Sequence, residues 1–268
     1  MSKGTLYVVG TPIGNLGDIT MRAVETLKEV DLIACEDTRH TRILLDRFEI
    51  KKPLVSYYKQ KEREGTEKIL EHLERGKNVA LVTDAGTPCV SDPGAILVKE
   101  CIDSGYEVLS VPGPSALTTA YSVSGVCNPR FAFIGFLPEK NSDKNKLREE
   151  VSTYNIPTVY YCAPHDLERT ISYLYDKLGD RPLTVVKELT KLHETVYKGT
   201  LGNIEIANDK GEFILIVEPA EKAKEEVDIE FELKTLMESG LSKSEAVKAV
   251  VKLHNIKKNE VYAVAVKL

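Results

Sequence analysis

Residues 81–94 read LVTDAGTPCVSDPG, and this stretch decides how the chain folds. The apolar run Val79-Ala80-Leu81-Val82 reads as a buried strand of a parallel sheet, and it empties into a loop holding two Gly, two Pro, two Asp, Thr and Ser. In open α/β sheets the ligand crevice lies at the carboxyl ends of strands, where glycine lets backbone N–H and C=O groups approach a small molecule closely. The same composition serves an ordinary strand-to-helix turn, but this loop is longer and more polar than a short βα connection needs.

Outward from that loop, strand and helix alternate through the first half. Thr5 to Val9 is an apolar strand, followed by the loop 10–17 and a helix that Asp18 can cap, with Ile19, Ala23, Leu27 and Val30 on one face. Strand Leu32–Cys35 opens into Glu36-Asp37-Thr38-Arg39. Further elements are expected at His40–Phe48, a helix at Thr66–Arg75, a helix near Pro93–Ser104, strand Tyr106–Val111 and a helix from Ala116. This order predicts a mostly parallel α/β/α domain over residues 1–125 with right-handed crossovers.

The pattern changes near FAFIGFLPEK and the polar stretch Glu139–Asn145, where a domain boundary is expected. Residues 126–220 then carry strands at Thr158–Tyr161, Leu183–Glu188, Glu194–Thr200 and Glu212–Glu218, with one helix at His165–Leu178. Strands outnumber helices, so a mixed sheet is expected. Residues 221–268 read as a charged linker and a small helical tail, with a Ser242/Glu245 capping box. Val261–Leu268 alternates like a strand but follows helical sequence and is taken as helix.

Composition excludes several classes. A formal charge of −5 rules out a uniformly basic nucleic-acid-coating protein, yet residues 39–63 hold eight bases against three acids. Five cysteines without a C-x-x-C pair indicate neither a disulfide framework nor a zinc site. Glycine arrives too early for a secretory signal, and no apolar run approaches the roughly 20 residues of a membrane span, so a cytoplasmic protein with no membrane partner is expected. Neither G-x-x-x-x-G-K-S/T nor G-x-G-x-x-G is present. A cofactor site must therefore be assembled from separate loops, and those at Gly10, Gly86 and Gly113 share one rim if their strands are parallel.

Those loops carry a resemblance. VVGTPIGN, LVTDAGTPCVSDPG and VPGPSA resemble the successive binding loops of the tetrapyrrole methylase-like S-adenosylmethionine enzymes, whose usual forms run roughly V-G-x-G-P-G-D, G-D-P-x-V and P-G-I/V-S/T-S/A. Within that superfamily, EDTRHTRILLDRFEI, TDAGTPCVSDPG, KELTKLHETVYKGTL and GEFILIVEP together resemble the bacterial small-subunit ribosomal RNA methyltransferase I family over nearly the full chain. The resemblance implies a two-domain tetrapyrrole methylase-like fold with the cofactor in the cleft between domains, and a homodimer. It also implies methyl transfer from S-adenosyl-L-methionine, leaving S-adenosyl-L-homocysteine, to a ribose 2′-oxygen of a decoding-centre cytidine in 16S rRNA or the 30S subunit. No metal is implied. The cofactor-binding residues carried over are Thr11, Pro12 and Gly14; Gly86, Thr87 and Val90; Ser115 and Ala116; and Cys162 with Ala163. Thr87 stands where the wider superfamily has Asp. Cys162 and Asp166 stand where Glu and Arg are expected in a motif like Y-E-A-P-H-R.

A ribose hydroxyl is a weak nucleophile and gains from a proton acceptor. The candidates are Glu36, Asp37, Glu188 and His193, with Lys187 and Lys191 available to stabilise an alkoxide or hold phosphate. Glu36 and Asp37 serve equally as a helix cap, His165 as a cap or core histidine, and His193 as a salt-bridged surface residue. RNA contacts fall to Arg39, Arg42, Lys59, Lys61 and Arg63, with Tyr57 and Tyr58 placed to stack a base or to sit half-buried in a strand. Two other functions fit the architecture: a methyltransferase acting on a corrin, porphyrin or other small molecule, and a non-catalytic RNA-binding protein with a vestigial cleft. The basic stretch speaks against the first, and three intact glycine loops speak against the second.

Overall fold

The computed structural model describes residues 3–220, 228–254 and 256–268. The chain divides into two compact units, Met1–Ala220 and Glu221–Leu268. Most of the expected charged linker, 221–227, lies outside the described residues.

The first unit opens with β1 (Thr5–Val9), α1 (Met21–Glu29), β2 (Leu32–Cys35), α2 (Thr38–Arg47), β3 (Leu54–Ser56), α3 (Glu62–Glu74), β4 (Val79–Val82), α4 (Ala95–Asp103), β5 (Glu107–Val111) and α5 (Ala116–Val123). The five strands form one parallel sheet in the order β3-β2-β4-β1-β5. Both faces are covered, which is why β4 is apolar without alternation. Ala80 and Val82 pack toward Leu27, Ile33 and Leu45, whereas Val79 and Leu81 pack toward Ile69, Leu73 and Leu97. The connection leaving β1 runs to β2 and the one leaving β4 runs to β5, in opposite directions along the sheet. Their carboxyl ends flank the switch point where such sheets bind ligands.

The same unit continues with β6 (Ala132–Phe136), α6 (Asn141–Ser152), β7 (Thr158–Cys162), α7 (Leu167–Leu178), β8 (Pro182–Lys187), β9 (Thr195–Thr200) and β10 (Phe213–Val217). Their order is β6-β7-β10-β8-β9, with β6 and β7 parallel and every other pairing antiparallel. One face packs on α7 through Tyr160, Leu174, Val185, Phe213 and Leu215. The other face, through Val159, Val186, Ile214 and Ile216, meets Ile13 and Ala120 from the first half. The fold is the expected parallel α/β/α layer joined to a mixed-sheet layer.

Taken by itself, the second unit is three helices, α8 (Ile229–Glu238), α9 (Lys243–His254) and α10 (Lys258–Ala265), around Leu233, Val247, Val250 and Val261. Its capping box forms as expected: the Ser242 N–H donates to the Glu245 carboxylate at 3.0 Å, and the Glu245 N–H donates back to Ser242 Oγ at 3.4 Å. The terminal segment is helical.

Three local expectations are corrected. Thr20, not Asp18, caps α1, accepting the Ala23 N–H at 3.1 Å, while Asp18 lies in a preceding 3₁₀ turn. Helix α3 starts at Glu62, four residues before Thr66, with Glu62 and Glu64 favourably placed against the positive end of the helix dipole. The polar stretch from Glu139, for which no helix is expected, is mainly the first turns of α6.

Gly10 marks a close backbone approach between the exits of β1 and β5. A Cβ there meets the Gly113 N at 2.8 Å. Gly10→Ala is therefore expected to lower stability by about 1–3 kcal/mol, as overpacking does, measured as a reduced urea midpoint with unchanged slope.

Candidate functional site

Because β1, β4 and β5 run parallel, the loops that follow them share one rim, and hydrogen bonds fasten them there. The Thr11 N–H donates to the Gly86 carbonyl at 2.9 Å and the Gly86 N–H returns to the Thr11 carbonyl at 3.1 Å. Thr11 Oγ1 adds a bond to the Thr83 carbonyl at 3.0 Å. Gly86 takes φ +81°, which only glycine adopts without strain. Farther along the loop, Cys89 and Ser91 hold φ +72° and +65° without being glycine. The Glu62 carboxylate of α3 steadies this strained turn, accepting the Gly94 N–H at 2.9 Å and the Tyr57 hydroxyl at 3.3 Å.

Above this rim the first sheet's loops face β6, β7, β8 and β10 across a cavity of about 330 Å³, inside the ~300–1,000 Å³ range of small-molecule sites. Of the ten expected cofactor residues, Gly86, Thr87, Val90, Ser115, Ala116, Cys162 and Ala163 line it. Thr11 and Pro12 are buried outside the lining, and their loop contributes Ile13 instead. Gly14 also stays outside: a Cβ there meets Lys191 Cγ at 2.8 Å and Thr190 Oγ1 at 3.0 Å, so it gives room to the loop after β8. Cys162 is buried, with burial as the main cause pushing its thiol above the usual range. Asp166 pairs with Arg169 at 2.6 Å rather than facing the cavity.

Charge in the cavity is one-sided. Asp84, Asp92 and Glu212 are lining residues, and among the described residues no Lys, Arg or His joins them. Burial, then the nearby Glu36 and Asp84 carboxylates, pushes the Asp92 carboxyl up to about 6. Burial and Asp84 also raise Glu36, which stands just outside the lining at the end of β2. Such a wall favours a cation and repels phosphate. A sulfonium with an apolar ring system fits it, with Ile13, Val186, Leu189 and Ile214 supplying apolar surface.

The other candidate acids are engaged elsewhere. Asp37 caps α2, accepting the Arg39 N–H at 2.7 Å and pairing with the Arg39 guanidinium at 3.0 Å, which holds it at about 2. Glu188 sits at φ +51° after β8. Burial works to raise its carboxyl, but the Glu212 N–H and the Lys191 ammonium outweigh it and leave it below its ordinary value. Lys191 bridges Glu188 at 3.0 Å and Glu212 at 2.9 Å. Lys187 is buried and donates to the Asn208 carbonyl at 2.9 Å, so it holds no phosphate. His165 and His193 are exposed and outside the cavity lining.

Arg39 and Arg42 on α2, with Lys59, Lys61 and Arg63 after β3, are all exposed. Strands β2 and β3 end in register, Cys35 opposite Ser56, so both groups leave the sheet at the same rim as the cavity loops. Tyr57 is corrected: it is 1% exposed, with its hydroxyl between Glu62 and Thr66, and cannot stack a base. Tyr58 is half-buried. The sequence reading did not single out Asp84, Asp92, Glu212, Phe136 or Tyr161. The two aspartates were legible as acids in a strand-exit loop, whereas the others depend on how the second sheet meets the first.

Residues 5–205 match the family model described as Tetrapyrrole (Corrin/Porphyrin) Methylases. A ribosomal RNA small subunit methyltransferase I of Synechocystis sp. is 42% identical over 275 residues, covering 99% of this chain and 98% of its own. Its namesake in Bacillus subtilis is 43% identical over 273 residues, covering 97% and 93%. The chain belongs to the ribosomal RNA small subunit methyltransferase I family of the tetrapyrrole methylases. Among solved structures, a uroporphyrin-III-C-methyltransferase from Thermus thermophilus shares the fold, with a TM-score of 0.57 at 19% identity over 81% of this chain and 94% of that one. Among the described residues, no helix is long and apolar enough to cross a membrane and no cluster of three metal-ligating side chains occurs.

The strained loop gives a test of its support. Glu62→Ala leaves the Gly94 N–H without its partner, and a loss of about 1–3 kcal/mol in unfolding free energy is expected, read by denaturant titration.

Proposed function

We propose that this chain transfers a methyl group from S-adenosylmethionine to the ribose 2′-oxygen of a decoding-centre cytidine in 16S rRNA. The observation that carries this reading is a cavity at three strand exits walled by Asp84, Asp92 and Glu212 without a cationic side chain, beside a rim of exposed Arg and Lys. The cavity suits a sulfonium, and the rim suits phosphates. A carboxylate-bearing corrin or porphyrin is disfavoured by the same acidic wall. A homodimer, a cytoplasmic place of action and the division at 1–125, 126–220 and 221–268 belong to the same reading.

When bound, S-adenosylmethionine supplies an electrophilic methyl carbon on sulfur. The chain's first task is alignment. Thr87 and Ser115, on first-sheet loops already fixed to one another, and Ala163 across the cavity would hold the donor's polar edges, so little order of the first-sheet loops would be lost on binding. Orientation of this kind contributes about 7–11 kcal/mol, more than the 10²–10⁴-fold typical of proton acceptance. The second task falls to Asp92. Its carboxylate lines the cavity and, held near 6, is charged and still basic enough at neutral pH to take the 2′-hydroxyl proton. Arg39, Arg42, Lys59, Lys61 and Arg63 hold the RNA backbone outside the acidic wall.

Incubation with methyl-labelled S-adenosylmethionine and 30S subunits is expected to place label on one cytidine ribose, located by nuclease digestion and mass spectrometry. Label in a tetrapyrrole acid instead, or donor binding with no transfer, overturns the reading. The rate of transfer should rise with pH through about 6 as Asp92 loses its proton. Asp92→Asn is expected to lower it roughly 10²- to 10⁴-fold and abolish that rise, while Asp37→Asn, which keeps a capping side chain, stays within a few-fold of wild type.

Replacing Arg39 and Arg42 together by Ala should weaken RNA binding and reduce the slope of log K against log salt by about 1.4–1.8. Donor affinity measured by calorimetry should not change. A parallel fall in donor affinity removes these two residues from the RNA surface.

A further inference from the structure

We propose that Phe136 is the platform on which the target nucleobase stacks, with the base splayed out of its strand; this rests on the RNA-methylating reading above. Phe136 is 56% exposed, yet it lines the cavity. The backbone is built to put it there. Strand β6 pairs Phe133 with Val159 but Gly135 with Tyr160, so Ile134 is an extra residue and the strand bulges. On a regular strand, residues 133 and 136 point to opposite faces. The bulge re-aims the second of them, and both rings then meet Tyr161, at centroid separations of 4.9 Å for Phe133 and 5.5 Å for Phe136, each close to edge-on.

Glycine at 135 is required by the same arrangement. It holds φ +75°, and a Cβ there comes within 2.8 Å of Ser91 Oγ. Ser91 thus lies against Gly135, so Asp92 and Phe136 are the chain neighbours of one contact and both line the cavity. A side chain exposed to this degree has given up apolar burial, and Tyr161 fixes its orientation.

The charge pattern selects the occupant. Phosphate is repelled by Asp84, Asp92 and Glu212, but a base and its ribose are neutral and can enter. The basic residues after β2 and β3 keep the phosphates at the rim, and single-stranded RNA is read by stacking splayed bases on aromatic rings. A stacked base on Phe136 places its ribose beside Asp92. The cofactor's own adenine is the competing occupant, and the experiment separates the two.

The measurement is transfer to 30S subunits over a range of subunit concentration, with donor Kd by calorimetry, for wild type, Phe136→Ala, Phe136→Leu and Phe136→Trp. The Ala and Leu variants are expected to raise KM for RNA roughly 5- to 150-fold, the value of one stacked base, with donor Kd unchanged. Trp, which keeps a stacking face, should stay near wild type, whereas Leu tests whether apolar bulk alone suffices. An unchanged RNA KM in Phe136→Ala overturns the platform, as does a full rescue by Leu. A loss of donor affinity matching the loss in RNA KM makes the ring a cofactor wall and also overturns it. If wild type labels no rRNA, the RNA-methylating reading fails and the platform falls with it; an active wild type with indifferent variants sinks the platform alone.

Discussion

Backbone packed on backbone at the exits of β1 and β5 is the constraint from which the cleft follows. A Cβ at Gly10 lies 2.8 Å from the Gly113 N, and one at Gly113 lies 2.8 Å from the Gly10 carbonyl oxygen. No side chain intervenes, so the two loops leave the sheet as a single layer. The reciprocal bonds between Thr11 and Gly86 then add the β4 loop to that layer. Thr11 is therefore buried: it is the joint between loops and not their surface. The residue that reaches the cavity is the next apolar one, Ile13, which also packs with Val186 and Ile214 of the second sheet. One contact at the base of the loops thus fixes both the floor of the cavity and the seating of the second half against the first.

That geometry explains what could be read from the residues and what could not. Parallel order, the covered faces of β4 and the common rim of three glycine loops all follow from apolar runs ending in Gly and Pro, and such signals are local. The mixed second sheet followed from four strands with a single recognised helix. Helix α6 was missed because its first half, NSDKNK, carries no apolar stripe; Val151, at its far end, is its buried residue. Capping by Thr20 rather than Asp18 turned on a two-residue choice in which the better intrinsic cap, Asp18, is already taken up in the preceding 3₁₀ turn. Cofactor loops were legible to the extent that their glycines mark close approach. Which neighbouring side chain points inward was not legible, since Thr11 and Ile13 differ only in the register of an irregular loop. Tyr57 misled for a similar reason: its hydroxyl finds Glu62 and Thr66, partners that exist only once α3 packs over β3.

Electrostatics divides the site into two compartments. Net charge is −5, and the basic residues Arg39, Arg42, Lys59, Lys61 and Arg63 follow the exits of β2 and β3, on the same rim as a cavity whose charged lining residues are Asp84, Asp92 and Glu212. Opposite preferences on adjacent exits of one sheet are an efficient way to sort a cationic small molecule from an anionic polymer. Within the acidic compartment the carboxylates are not equivalent. Glu212 is paired with Lys191, whereas Asp92 is raised by burial and then by its carboxylate neighbours. Neighbouring acids in unlike environments are the usual means of keeping one of them basic near neutral pH.

Strain is concentrated where the two halves meet. Cys89 and Ser91 after β4, and Glu188 and Thr190 after β8, all take positive φ without being glycine. Conformations of this kind cost about 1–3 kcal/mol each and persist where the surroundings over-determine them. The surroundings here are specific. Glu62 fixes the Gly94 end of one loop, and Lys191 ties Glu188 to Glu212 in the other. Ser91 lies against Gly135 and Thr190 against Gly14, so each strained loop reaches across to a glycine of the opposite half. A Cβ at either glycine would hold the halves apart. The cleft is therefore closed by paired local distortions rather than by a broad apolar interface at its mouth, which leaves the walls between them free to meet ligands.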